Sequence, residues 1–214
     1  PNSGTIPACF GPGSLIETPH GPRPIEDLVA GDDVLTVDGE IRVIRWVWRG
    51  TQALDDVDRD QKPVLLRKDT FGPAQPSADL VVSGQHRIVL GGYGQLPDYF
   101  DVPVFAPAKS LAILPGVRLM AGKRHVTWHH ILCDDHCVIW ANGVATETML
   151  MGAVVLRGMN ARCIADLSAR LGREIAADTD ENPALPCMTV RQTQRIIVAQ
   201  NGYRVAGIER LLAS

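Results

Sequence analysis

Two groups of residues in this sequence have the types and spacing to do chemistry. The first is Cys9, in Pro7-Ala8-Cys9-Phe10-Gly11-Pro12-Gly13-Ser14, together with Ser83-Gly84-Gln85-His86 downstream. A cysteine thiol is only a few per cent thiolate at neutral pH, yet it is intrinsically very nucleophilic. At the threshold of a strand, the Cys9 sulfur could attack the Ala8 carbonyl immediately before it. That N-to-S acyl shift turns the Ala8–Cys9 peptide bond into a thioester, which water or an added nucleophile resolves. The departing amide nitrogen must be protonated, and an imidazole with an unperturbed pKa near ~6.5 can supply the proton. Taken alone, Cys9 reads more readily as a buried structural thiol packing as a small hydrophobe, and His86 fits equally well as a histidine satisfied at a strand end.

The second group is the run 128–143, in which His129, His130 and His136, Asp134 and Asp135, and Cys133 and Cys137 crowd together. Such a set raises zinc as an alternative. The spacing is poor for it, because His129, Cys133 and Cys137 share one strand face only if no turn intervenes. Asp134-Asp135 reads as that turn, so a closed tetrahedral set is not implied.

The elements that must position these residues are mostly strands. Ser14 to Thr18 reads as a short strand closed by Pro19-His20-Gly21-Pro22. Asp38-Gly39 between Val34–Val37 and Ile41–Trp48 is a hairpin signal, because both turn residues accept positive φ. Residues 50–62 are charged and loop-like, and Val64 to Arg67 resumes the strand pattern. Leu80 to Leu90 reads as strand-like through Ser83 and His86, ended by a turn at Gly91-Gly92-Tyr93-Gly94. Ala108 to Leu111 reads as a helical turn. Strands at Val117–Met120, Arg124–Leu132 and His136–Trp140 follow, up to a turn at Asn142-Gly143. This spacing predicts an all-β domain over about residues 9–152. Past Gly152 the pattern changes: Ile164, Leu167 and Leu171 recur at a helical period within 160–171. Asp178 to Pro186 reads as a loop, and the last stretch mixes helical and strand patterns. There is no internal repeat.

Composition sets the outer bounds. The chain has 214 residues, 45% hydrophobic and 21% charged, as in globular domains, enough for one domain or a domain plus an appendix. A net charge of −3 gives no basic footprint for nucleic acid. No apolar run approaches the ~18 residues that span a bilayer. The first residues show no signal peptide, and with no initiator Met the chain reads as a piece of a longer protein. Five cysteines, an odd number spread widely, argue against a disulfide framework.

The Cys9 junction, the string Ile25-Glu26-Asp27-Leu28-Val29-Ala30-Gly31-Asp32-Asp33-Val34-Leu35 and the Ser83-x-x-His86 motif together resemble the Hint (hedgehog/intein) autoprocessing family, in its bacterial hint-like branch. The resemblance covers about residues 9–152. It implies an all-β, Hint-type horseshoe fold with a small, partly helical C-terminal extension. The division is then an upstream flank at 1–8, the Hint domain at 9–152 and the extension at 153–214. It also implies a single-turnover, cysteine autoprotease-like hydrolase reaction. Cys9 is the nucleophile, His86 protonates the leaving amine, Ser83 (where relatives commonly carry Thr) holds the scissile Ala8–Cys9 peptide, and His130 relays protons behind them. In this register His136 braces the late strand, although a one-residue shift would exchange which histidine faces inward. No metal and no cofactor are called for. The partners implied are the attached N-terminal polypeptide and water or a small nucleophile, and the setting is a secreted or cell-surface bacterial protein.

Departures from the family narrow the reaction. Splicing members end in His-Asn before a nucleophile, and no His-Asn occurs here. Hedgehog-type processors carry a second cysteine after the late strand, where this chain has Thr146-Glu147-Thr148. The acidic residue that activates a sterol has no counterpart near Trp48-Arg49. One-sided cleavage at Ala8–Cys9 remains, with a catalytically inactive structural module as the alternative.

Overall fold

In the computed structural model, residues 8–152, 155–156, 161–175 and 182–212 are described. The expected flank, apart from Ala8, and residues 178–181 of the expected loop lie outside them. The described residues form thirteen strands, three short 3-10 helices and two α-helices, so the architecture is mainly antiparallel β with a helical C-terminal part.

One sheet has six strands. β1 (Leu15–Ile16) pairs with β2 (Arg23–Pro24) and with β12 (Val138–Ala141). β12 pairs with β13 (Val144–Glu147), β13 with β8 (Arg87–Leu90), and β8 with β9 (Val104–Pro107). A three-stranded sheet joins β10 (Val117–Leu119), β6 (Val64–Leu66) and β7 (Leu80–Val82). β3 (Asp33–Leu35) and β4 (Ile41–Val43) form a hairpin around Asp38-Gly39, where Gly39 has φ 84°. β5 (Trp46–Ala53) and β11 (His125–Leu132) pair along their whole length, from His125 opposite Ala53 to Leu132 opposite Trp46.

Several sequence expectations need correction. The run 80–90 is two strands, β7 and β8, separated by a tight turn that the His86 N–H closes on the Ser83 carbonyl at 3.0 Å. Ser83 and His86 thus sit at the two ends of one turn. The run 41–48 is also divided. Ile44 N–H bonds to the Asp32 carbonyl while Arg45 N–H bonds to the Leu132 carbonyl, so the chain changes partner between β4 and β5. β5 then continues to Ala53, through residues that read as loop because their strand character depends on β11. The final mixed pattern is one helix, α2 (Val190–Leu212), whereas α1 (Ala161–Leu171) lies where its periodicity predicts.

The turn between β12 and β13 is a hub. Asn142 (φ 50°) and Gly143 (φ 76°) both adopt the left-handed conformation of tight hairpin turns. The buried Asn142 amide accepts from Leu15 N–H at 2.6 Å and donates to the Ala78 and Asp79 carbonyls at 3.1 and 3.2 Å. One side chain therefore ties the last hairpin to β1 and to the approach to β7.

The main core packs Phe10, Ile16, Val82, Ile88 and Ile131 together, and Ile197 of α2 joins it. A second cluster sets Leu156 and Leu167 against Trp46 and Leu132. The tail also closes the free edge of β9: Phe105 N–H donates to the Pro186 carbonyl and Met188 N–H to the Phe105 carbonyl, both at 2.8 Å. Among the described residues no helix is long and apolar enough to cross a membrane.

Candidate reaction centre

Residues 9–11 are threaded between two strands. Phe10 exchanges both backbone hydrogen bonds with His129 of β11 at 2.9 Å, and Gly11 N–H donates to the Val81 carbonyl of β7 at 2.7 Å. The approach is close enough that a Cβ on Gly11 would lie 2.9 Å from the Val81 Cβ, so glycine is required there. This threading leaves Cys9 buried at the meeting point of β11 and the β7–β8 turn.

Three of the sequence-derived candidates meet at residue 9. The Cys9 N–H, which belongs to the Ala8–Cys9 peptide, donates to Ser83 Oγ at 3.1 Å. In return Ser83 N–H donates to the Cys9 carbonyl at 2.9 Å. The Cys9 sulfur lies 2.9 Å from His130 Nε2. The inward histidine is therefore His130, in direct contact with the thiol and not one step behind it. The ring of His130 lies against the Trp48 indole, its cross-strand partner, with centroids 5.2 Å apart.

His86 is fully buried and packs edge-on against the Phe10 ring at 4.4 Å. Its Nε2 is hydrogen-bonded to the Thr146 hydroxyl of β13. Among the described residues none partners the buried Nδ1 atoms of His86, His129 or His130.

Burial sets the protonation states. It pushes the Cys9 thiol well above its ordinary pKa, while a hydrogen bond from Ser83 pulls the other way. It lowers His86 to about 4, opposed by the Glu147 charge. His130 falls to about 3, again through burial, against a hydrogen-bonding interaction with the Ala8 backbone. Thiol and imidazoles are thus all neutral at neutral pH.

His136 lies elsewhere. Its Nδ1 accepts from Ala184 N–H at 2.9 Å, so its Nε2–H donates to Glu147 at 3.2 Å. The buried Glu147 also binds the Arg87 backbone N–H and guanidinium, at 2.8 and 2.9 Å. His136 braces β13, and through Ala184 it joins the C-terminal segment to the sheet. The zinc alternative is not supported by this placement. Cys133 and Cys137 hydrogen-bond to each other, raising the first thiol and lowering the second. His129 pairs with Phe10, whereas His136 is held by Glu147 and Ala184. Among the described residues no set of three or more His, Cys, Asp or Glu groups could hold a metal ion.

Thr146 and Trp48 are the contacts that sequence reasoning missed. The only signal for Thr146 was a hydroxyl-bearing strand residue at the place of an expected cysteine. Its pairing with β8, where it stands opposite Ile88, follows from register alone.

No curated protein matches the chain. Among solved structures, a bacterial intein-like domain from Clostridium thermocellum is 15% identical, covering 66% of this chain and 97% of its own, with a TM-score of 0.41. A DnaB intein from Synechocystis is 12% identical, covering 66% and 98%, with a TM-score of 0.39. The family profile described as Hint domain matches residues 8–153, from the residue before Cys9 to just beyond the last β-hairpin. The chain therefore belongs to the Hint domain family.

Proposed function

We propose that this domain cleaves its own chain once, at Ala8–Cys9, through a thioester. The observation that carries the reading is the convergence on residue 9 of a thiol, an imidazole nitrogen 2.9 Å from it and a hydroxyl accepting the scissile N–H at 3.1 Å. His130, neutral at working pH, takes the thiol proton as the sulfur bonds to the Ala8 carbonyl carbon. The tetrahedral adduct collapses as the Cys9 nitrogen gains a proton through His86, and the C–N bond breaks. His130 passes its proton on to His86, so the proton lost by sulfur is balanced by the one gained by nitrogen. Ser83 holds the scissile amide while its nitrogen loses planarity. Water then releases the upstream segment as a carboxylic acid and restores the thiol. This assigns His130 as the base and His86 as the acid, each within the 10²–10⁴-fold range of general acid–base catalysis.

The test is a precursor with a longer N-terminal flank, followed by mass spectrometry. A fragment beginning at Cys9 is expected from the native sequence and none from Cys9→Ala. Hydroxylamine or dithiothreitol should speed release by intercepting the thioester. No release after prolonged exposure to either reagent across several pH values would favour the inactive structural module.

A further inference from the structure

The reaction needs one nitrogen of His86 to exchange a proton while the ring keeps its position, and the hydrogen bonds around that ring decide which nitrogen it is. The Thr146 hydroxyl has two neighbours: His86 Nε2 and the Arg87 carbonyl oxygen at 2.9 Å. A hydroxyl carries one hydrogen, and a carbonyl oxygen can only accept. If Thr146 donated to His86, its oxygen would face the Arg87 carbonyl lone pair against lone pair, and a protonated Nδ1 would be a buried donor without an acceptor. If Thr146 donates to Arg87, its own lone pair accepts from His86 Nε2–H, and both contacts are satisfied. The second arrangement is the lower in energy, because it leaves no buried donor unmatched.

Two further bonds hold the backbone of residue 86, from which the ring projects. His86 N–H donates to the Ser83 carbonyl at 3.0 Å, and the His86 carbonyl accepts from Ala108 N–H at 2.7 Å. The Phe10 ring packs against the imidazole at 4.4 Å. Nδ1 remains, buried and without a described partner.

We propose that Thr146 is a positioning residue that locks His86 as the Nε2–H tautomer, leaving the Nδ1 lone pair to carry the proton that the proposed cleavage delivers to the Cys9 nitrogen. In this sequence His130 takes the proton from sulfur as the sulfur–carbon bond forms, and the proton passes by way of His86 Nδ1 to the Cys9 nitrogen as the carbon–nitrogen bond breaks. Nε2–H stays on Thr146 throughout, so the ring does not turn over between the two transfers. The inference deepens the proposed cleavage and rests on that reading for its catalytic half only.

The tautomer is read directly from two-bond proton–nitrogen correlation spectra of the chain labelled with ¹⁵N at histidine. His86 should show Nε2–H in the native chain and in Thr146→Ser, which keeps the hydroxyl. Thr146→Val keeps the shape but removes the acceptor, and its spectrum should lose the single Nε2–H form. Cleavage of the long-flank precursor should fall ~10²-fold in Thr146→Val and stay within about three-fold of native in Thr146→Ser. An Nδ1–H form in the native chain would overturn the proposal, and so would a Thr146→Val rate within about three-fold of native. If Thr146→Val does not fold, the native and Thr146→Ser spectra still decide. If the native precursor does not cleave, the spectra decide the tautomer lock, and it is the proposed reaction that has failed.

Discussion

Cys9 and His130 touch at 2.9 Å with both partners held neutral, the thiol by a raised pKa and the imidazole by a lowered one. Burial disfavours each charged form, so no resting thiolate–imidazolium pair is stabilised, and the proton must move as the sulfur bonds to carbon. The same burial makes the folded state sensitive to acid. An unfolded histidine titrates near ~6.5, against about 4 for His86 and about 3 for His130 in the fold. Between those values the unfolded chain binds protons that the native chain refuses, so stability rises with pH in that window. The contribution is complete above ~6.5 and is lost as pH falls toward 4 and then 3. Urea midpoints should therefore drop between pH 7 and pH 4.5, with a smaller drop in His130→Gln. Equal slopes for the two proteins would show that His130 is not buried neutral.

At the scale of elements, the β5–β11 pair matters because it sets the ring of His130. Trp48 stands opposite His130 in register and leans on it, and Gly50, two residues along the same face, leaves room for the indole. A Cβ at Gly50 would lie 2.3 Å from the far edge of the Trp48 ring, so the indole would have to move. Gly50→Ala should cost about 1–3 kcal/mol by overpacking, alter tryptophan fluorescence and slow cleavage. An unchanged spectrum with native stability would mean that Trp48 does not support His130. This coupling was not legible in the sequence, where Trp48 reads as the end of a hairpin strand with Val34–Val37. The hairpin was correctly placed at Asp38-Gly39, because its turn chemistry is local. The pairing of Trp46–Ala53 with His125–Leu132 joins segments far apart in the chain, and no local signal announces it. For the same reason Cys9, Ser83 and His86 could be singled out by motif, whereas the choice between His129 and His130 waited on register and Thr146 on its cross-strand neighbour.

For the molecule as a whole, the family match and the packing end at different places. The match stops at residue 153, but the tail continues into the fold at four points. α1 and Leu156 cover Trp46 and Leu132, at the end of the same strand pair that carries Trp48 and His130. Residues 186–188 pair with the edge of β9, and Ile197 enters the main core. Ala184 N–H meets His136, which holds Glu147 of β13, the neighbour of Thr146. A chain ending at residue 152 would leave Trp46 and Leu132 in water and expose an unpaired strand edge, which is a template for association. It should unfold at lower urea than the full chain and aggregate. Leu167, completely buried, separates packing from mere length: Leu167→Ala in the intact chain should cost about 2–5 kcal/mol. If the 1–152 chain instead stays monomeric and matches the stability of the full chain to within ~1 kcal/mol, the extension is an appendage and the boundary at 152 is a true domain limit. If both changes destabilise, residues 153–214 are part of the fold that holds the reaction centre.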